Sequence, residues 1–122
     1  MKPEMSRYTI SLAAPATEMS HFFMQGMANR MAISYYKYGP VADGYPSKVS
    51  AIKSLSARID AYTATGNTEY LIDAANFAMI EFMHPSIGDA YFTGTDSDFS
   101  PGRIAQTGRV SFAANDEMNA AR

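Results

Sequence analysis

The chain contains no cysteine, which excludes a disulfide framework and any thiolate metal site. It also lacks tryptophan, so the bulky apolar side chains are eight tyrosines, seven phenylalanines and nine methionines. That mixture suits an adaptable, aromatic-rich core or interface. No run of about 18 apolar residues occurs, so no membrane span is expected. A formal charge of −2 exerts no whole-chain attraction toward nucleic acid or anionic membrane, and a nucleic-acid polymer is not an expected partner. No internal repeat is visible. The segment Met1-Lys-Pro-Glu-Met-Ser-Arg-Tyr8 lacks the apolar core of a signal peptide, and the expected location is the cytoplasm.

What remains is a chain of 122 residues, 47% apolar and 18% charged, which fits one globular domain with a modest core. Its charges are segregated. Between Met19 and Ile59 the bases Arg30, Lys37, Lys48, Lys53 and Arg58 face a single acid, Asp43. Between Asp60 and Asp98 the order reverses, with Asp60, Glu69, Asp73, Glu81, Asp89, Asp96 and Asp98 and no Lys or Arg. Two arrangements satisfy this pattern. An acidic helix can pack beside basic ones, or the two sets can form opposite walls of a cleft. A nucleotide suits such a cleft, because its phosphates need cations and its sugar or base donors need acceptors.

The periodicity predicts an all-α fold, a small three-helix domain followed by an irregular C-terminal tail. An arm over about 1–15 is bracketed by Pro3 and Pro15, with Arg7-Tyr-Thr-Ile-Ser-Leu12 alternating weakly like a short strand. A first helix is expected over about 17–38, capped by Thr17 or Ser20, with Met19, Phe23, Met27, Met31 and Tyr35 recurring at i+4. Gly39-Pro40 ends it, and Gly26 in its middle implies a close helix–helix crossing. After a loop from Val41 to Pro46, a second helix is expected over about 47–65, burying Val49, Ile52, Leu55, Ile59 and Tyr62. Gly66 is placed for a left-handed cap, and Asn67 or Thr68 for the cap of a third helix over about 68–84. The tight connection implies antiparallel packing of these two helices. The helical domain is assigned to about 16–92 and the loop and tail to about 93–122, where turn formers dominate.

The third helix holds the most informative pattern. Leu71, Ile72, Ala75, Ala78, Met79 and Phe82 form an apolar stripe, while Glu69, Asp73 and Asn76 fall within roughly 60° of arc. Polar groups on so apolar a helix are costly unless something pairs with them. The Glu69–Asp73 pair at i, i+4 supplies two hard oxygen ligands suited to Mg²⁺, with waters and substrate phosphates completing the shell. Arg58, Lys53 or a backbone group can satisfy the same carboxylates instead. Helix circumference beyond what two neighbours cover predicts a homo-oligomer.

Tyr35, Tyr36, Tyr38 and Tyr45 gather near Lys37, where aromatic faces beside a cation can stack a base or simply complete the core. Arg30, Lys37, Tyr38, Tyr45, Arg58 and Asn76 are therefore the candidate ligand-binding residues of the helices. Arg103 and Arg109 join them from the loop Thr93-Gly-Thr-Asp-Ser-Asp-Phe-Ser-Pro-Gly-Arg103, whose backbone N–H groups can grip phosphate. That loop is not a P-loop, having no Gly-Lys-Ser/Thr. His21 and His84 are isolated, and no catalytic residue is assigned.

Three segments also carry a resemblance: Tyr36-Lys-Tyr-Gly39, then Lys48 through Ser54-Leu-Ser-Ala-Arg-Ile59, then Glu69-Tyr-Leu-Ile-Asp-Ala-Ala-Asn-Phe-Ala-Met-Ile-Glu81. They look like the MazG-like all-α nucleotide pyrophosphohydrolases, closest to the small nucleotide-modification-associated helical domains of phages. The match covers roughly residues 27–84, and its most specific part is the spacing of Glu69, Asp73 and Asn76. The resemblance implies a helical oligomer that cleaves the α–β linkage of nucleoside triphosphates with Mg²⁺, with Asp73 and Glu69 as metal ligands. It also implies a glutamate cluster on the preceding helix, and here only Asp60 stands between Tyr45 and Ala64. The expected function is therefore binding or sequestering of a nucleotide, such as a host nucleotide signal, without efficient hydrolysis, in the host cytoplasm if the chain is phage-encoded. An active Mg²⁺-dependent pyrophosphohydrolase is the first alternative and a structural helical interaction protein the second.

Overall fold

The structure, a computed structural model, describes residues 13–95. The expected arm strand at Arg7–Leu12 and the tail beyond residue 95, with Arg103 and Arg109, lie outside the described residues. The fold is all-α: α1 spans His21–Tyr38, α2 Val41–Gly44, α3 Ala51–Thr65 and α4 Glu69–Met83, preceded by a 3₁₀ turn at Ala16–Glu18. A unit boundary falls after Gly88, and residues 89–95 carry no helix or strand.

Capping chemistry explains the helix boundaries. Ser20 is extended, and its Oγ accepts the Phe23 N–H at 3.0 Å, so α1 starts at His21 and Thr17 is left in the 3₁₀ turn. Ser50 acts likewise on the Lys53 N–H at 3.1 Å. The second long helix therefore begins at Ala51, later than the expected start near Ser47. The loop expected from Val41 to Pro46 contains the single helical turn α2 and a cis Tyr45–Pro46 bond.

The α3–α4 connection is closed at each residue. Gly66 takes a left-handed φ of 77°, and its N–H reaches the Tyr62 carbonyl at 2.7 Å. Thr65 Oγ1 accepts the Asn67 N–H, and Asn67 Oδ1 accepts the Glu69 N–H, each at 3.1 Å. Asn67, not Thr68, supplies the side-chain cap of α4.

Helix α4 is the centre of the unit, packing extensively on α3 and also on α1. Four of the buried residues, Ile72, Ala74, Asn76 and Ile80, belong to it, and the remaining one is Ala51 at the start of α3. The buried set is thus shifted from the expected apolar stripe, of which Ala78 and Phe82 are exposed. The reason is that α1 and α3 flank the polar side of α4, so that Asn76 goes inside with Ile72 and Ile80. On α3, Leu55 and Tyr62 are half-buried while Ile52 and Ile59 remain exposed, as does Val49 just before the helix.

The close crossing implied by Gly26 is present. A Cβ at this position would stand 2.8 Å from Ile72 Cδ1. Adding a β-branched side chain should cost about 1–3 kcal/mol by overpacking, more than the roughly 0.3–0.5 kcal/mol that valine regains over glycine in helix propensity. Gly26→Val is therefore expected to lower the urea midpoint, and an unchanged midpoint would show that α1 does not seat against Ile72.

Candidate functional site

The polar stripe of α4 meets both neighbouring helices at Asp73, whose side chain is only 15% exposed. Arg30 of α1 engages it side-on, with Nε 2.5 Å from Oδ1 and Nη2 3.4 Å from Oδ2. The third nitrogen of the same guanidinium, Nη1, donates to Glu69 Oε2 at 2.6 Å. From α3, Arg58 Nε reaches Asp73 Oδ2 at 3.3 Å. One carboxylate thus receives two cations from two helices, and Glu69 offsets the extra positive charge. Of the partners open to these carboxylates on sequence grounds, Arg58 is used and Lys53 is not.

The two arginines differ in what they have left to offer. Each nitrogen of Arg30 has a carboxylate partner in Glu69 or Asp73, with one N–H of each Nη left over. Arg58 uses only Nε, and its guanidinium lies over the Phe77 ring, 5.4 Å from the centroid, in a cation–π contact. Its two Nη nitrogens have no protein partner among the described residues. Lys37 forms no ion pair among those residues either, and its Nζ rests 5.3 Å from the Tyr38 ring centroid.

These groups share a cleft of about 350 Å³. Arg30, Ser34, Lys37 and Tyr38 contribute from α1, Tyr45 from the segment after α2, and Arg58 from α3. Asp73, Asn76, Phe77 and Ile80 form the wall from α4. The geometry follows from helical spacing, because Arg30, Ser34 and Lys37 at i, i+4 and i+7 occupy one face of α1. The candidates Arg30, Lys37, Tyr38, Tyr45, Arg58 and Asn76 are therefore neighbours around one opening, and Asp73 lines it too. Glu69 stands beside it, held by Arg30, and does not line it.

No protein-family model, curated protein or solved structure matches the chain. The site is interpretable only through its own chemistry. Three cations against one lining carboxylate make the opening a cation-rich one, and the tyrosines give it aromatic walls. Among the described residues no cluster of three or more His, Asp or Glu side chains is placed to hold a metal ion. A Mg²⁺ on Glu69 and Asp73 would have to displace guanidinium groups from the oxygens it needs, so this donor set fits the ion poorly.

Phe77 and Ser34 were not among the candidates, although each had a signal. Phe77 follows Asp73 by one turn and Ser34 follows Arg30 by one turn, so each shares a helix face with a named charge. Ile80 also follows Asn76 by one turn, but an isoleucine there gives no hint of a cleft.

Asp73 should hold the three helices together as well as shape the opening. Asp73→Asn preserves its shape and removes the charge that both arginines bind. Allowing for the partial exposure of both guanidiniums, the expected loss is about 1–2 kcal/mol. A double-mutant cycle with Arg58→Ala should show coupling, and strict additivity would mean that the Arg58 contact contributes nothing.

Proposed function

We propose that this protein binds a nucleotide in the cleft between α1, α3 and α4, and that it does so without efficient hydrolysis. The observation that carries the reading is the pair of uncommitted cations. Among the described residues, the Arg58 Nη nitrogens and Lys37 Nζ have no anionic partner at this one opening. A phosphate chain supplies the anion, and the Arg fork suits its oxygens. Tyr38 and Tyr45 supply faces on which a base can stack. Arg30, with a carboxylate on each of its three nitrogens, chiefly positions Asp73 at the edge of the opening.

The resemblance to MazG-like pyrophosphohydrolases points to the same ligand class. The absence of their second acidic cluster from the second helical segment, together with the arginine-bound state of Asp73, supports binding over turnover. A phage-type protein that sequesters a nucleotide signal in the host cytoplasm fits both. The proposal includes a homo-oligomer, supported by the exposed apolar side chains of Val49, Ile52 and Ile59. Ile52 and Ile59, two turns apart, lie on one face of α3.

The test is a thermal-shift screen of linear and cyclic nucleotides with and without Mg²⁺, followed by titration of any hit and chromatography for breakdown products. Lys37→Ala should weaken binding of phosphorylated ligands about tenfold or more while leaving the unfolding temperature in place, a loss of roughly 1.5–3 kcal/mol for a charge-assisted bond. No binding across the library would overturn the reading. Release of pyrophosphate in step with Mg²⁺ would replace sequestration with hydrolysis.

Solution mass checks the assembly. At micromolar concentration the mass should exceed that of the 13.3 kDa chain, and a clean monomer across that range would remove the oligomer from the proposal.

A further inference from the structure

Asn76 is the one buried polar residue of the described core, with 6% of its surface exposed. Its Nδ2 donates to the Met27 carbonyl of α1 at 3.1 Å. That bond fixes which end of the amide is which, because a carbonyl accepts and cannot donate. The Oδ1 atom has no hydrogen-bond partner among the described residues. A buried acceptor left unpaired is rare in folded proteins, and it raises the question of what pairs with it.

The position of the side chain supplies the answer. Asn76 lines the cleft that holds Arg58 and Lys37, and it lies one turn along α4 from Asp73, to which Arg58 is bonded. A ligand group that meets the free oxygen must carry an N–H or O–H donor, and the neighbouring Arg58 and Lys37 favour a ligand that is also anionic. A phosphate oxygen or a second carbonyl would be repelled, and an ammonium group would face the cations of the same opening.

We infer that Asn76 Oδ1 accepts a hydrogen bond from a sugar hydroxyl of the bound ligand, so that the cleft selects nucleotides with an intact ribose over their dideoxy counterparts. This rests on the nucleotide-binding reading above and adds to it the part of the ligand being recognised. The ribose hydroxyls are the donors nearest the 5′-phosphate, only a few bonds away, whereas the amino groups of a base lie beyond the sugar. The short step from Arg58 to Asn76 fits the former. Base-edge recognition by an asparagine uses its donor and its acceptor together, and here the donor is committed to Met27. The oxygen is closed to solvent when the cleft is empty. A side chain of the lining must therefore move to admit the hydroxyl.

Titration calorimetry on the full chain tests this with the four ribonucleoside 5′-triphosphates, their 2′,3′-dideoxy forms and inorganic tripolyphosphate. The ribose form of the preferred nucleotide should bind about tenfold tighter than its dideoxy form, the range of one well-placed hydrogen bond. Asn76→Ala should bring the two affinities together while tripolyphosphate binding persists. Because that variant also loses the bond to Met27, the wild-type ratio decides by itself if the variant does not fold. Equal affinity of wild type for ribose and dideoxy forms overturns the inference while leaving the nucleotide reading in place. Failure of every nucleotide and of tripolyphosphate to bind overturns that reading and the inference with it.

Discussion

The Asp73 carboxylate is the constraint on which the arrangement depends. It is mostly withdrawn from water, and a half-buried charge on an apolar helix is tolerated only if cations come to it. Arg30 and Arg58 do so from different helices. The requirement to neutralise one group therefore draws α1 and α3 to the same face of α4. The space left between them is the cleft. Its composition follows from the same requirement: guanidinium groups brought to one opening, one with a carboxylate on every nitrogen and the other with two nitrogens to spare.

A core built around α4 explains how so small a unit tolerates a polar interior. The buried apolar residues are few and mostly small or β-branched, namely Ala51, Ile72, Ala74 and Ile80. Such a core specifies close approach more than it supplies bulk. Gly26 over Ile72 and the Asn76 amide on the Met27 carbonyl are two points at which α1 is pinned to α4. Glu81 shows the same economy at the far end of α4, where its Oε2 accepts both the N–H and the Oγ–H of Ser86 at 2.8 Å and turns the chain away from the helix.

Much of this was legible in the residues, because local chemistry decided it. Gly66 with Asn67 announced a tight connection, Gly26 a close crossing, and Gly39-Pro40 the end of α1, each through a conformational rule that tertiary context did not override. The grouping of Glu69, Asp73 and Asn76 followed from helical angle alone. The start of α3 was less legible, since Ser47 and Ser50 are equally good caps in isolation and only the path through α2 selects the latter. Which partner each carboxylate would take was not legible at all. Lys53 and Arg58 are both basic residues of one helix, and the choice between them depends on the rotation of α3 about its own axis. The exposed state of Ile52 and Ile59 was hidden for the same reason: periodicity marks an apolar face without saying what covers it.

The brief connection at Gly66 has a kinetic corollary. Helices α3 and α4 are joined by a few residues whose polar groups are already satisfied, so their mutual contacts close short loops. Helix α1 reaches α4 only across long separations, 39 residues from Arg30 to Glu69 and 49 from Met27 to Asn76. Chain entropy favours the short closure first, and contacts remote in sequence form later. The α3–α4 hairpin is then the expected nucleus and α1 the segment expected to dock last and open first, a hierarchy that native-state amide exchange along α1 and α4 would read directly. Since the cleft exists only while α1 is docked, anything that occupies it would hold α1 in place.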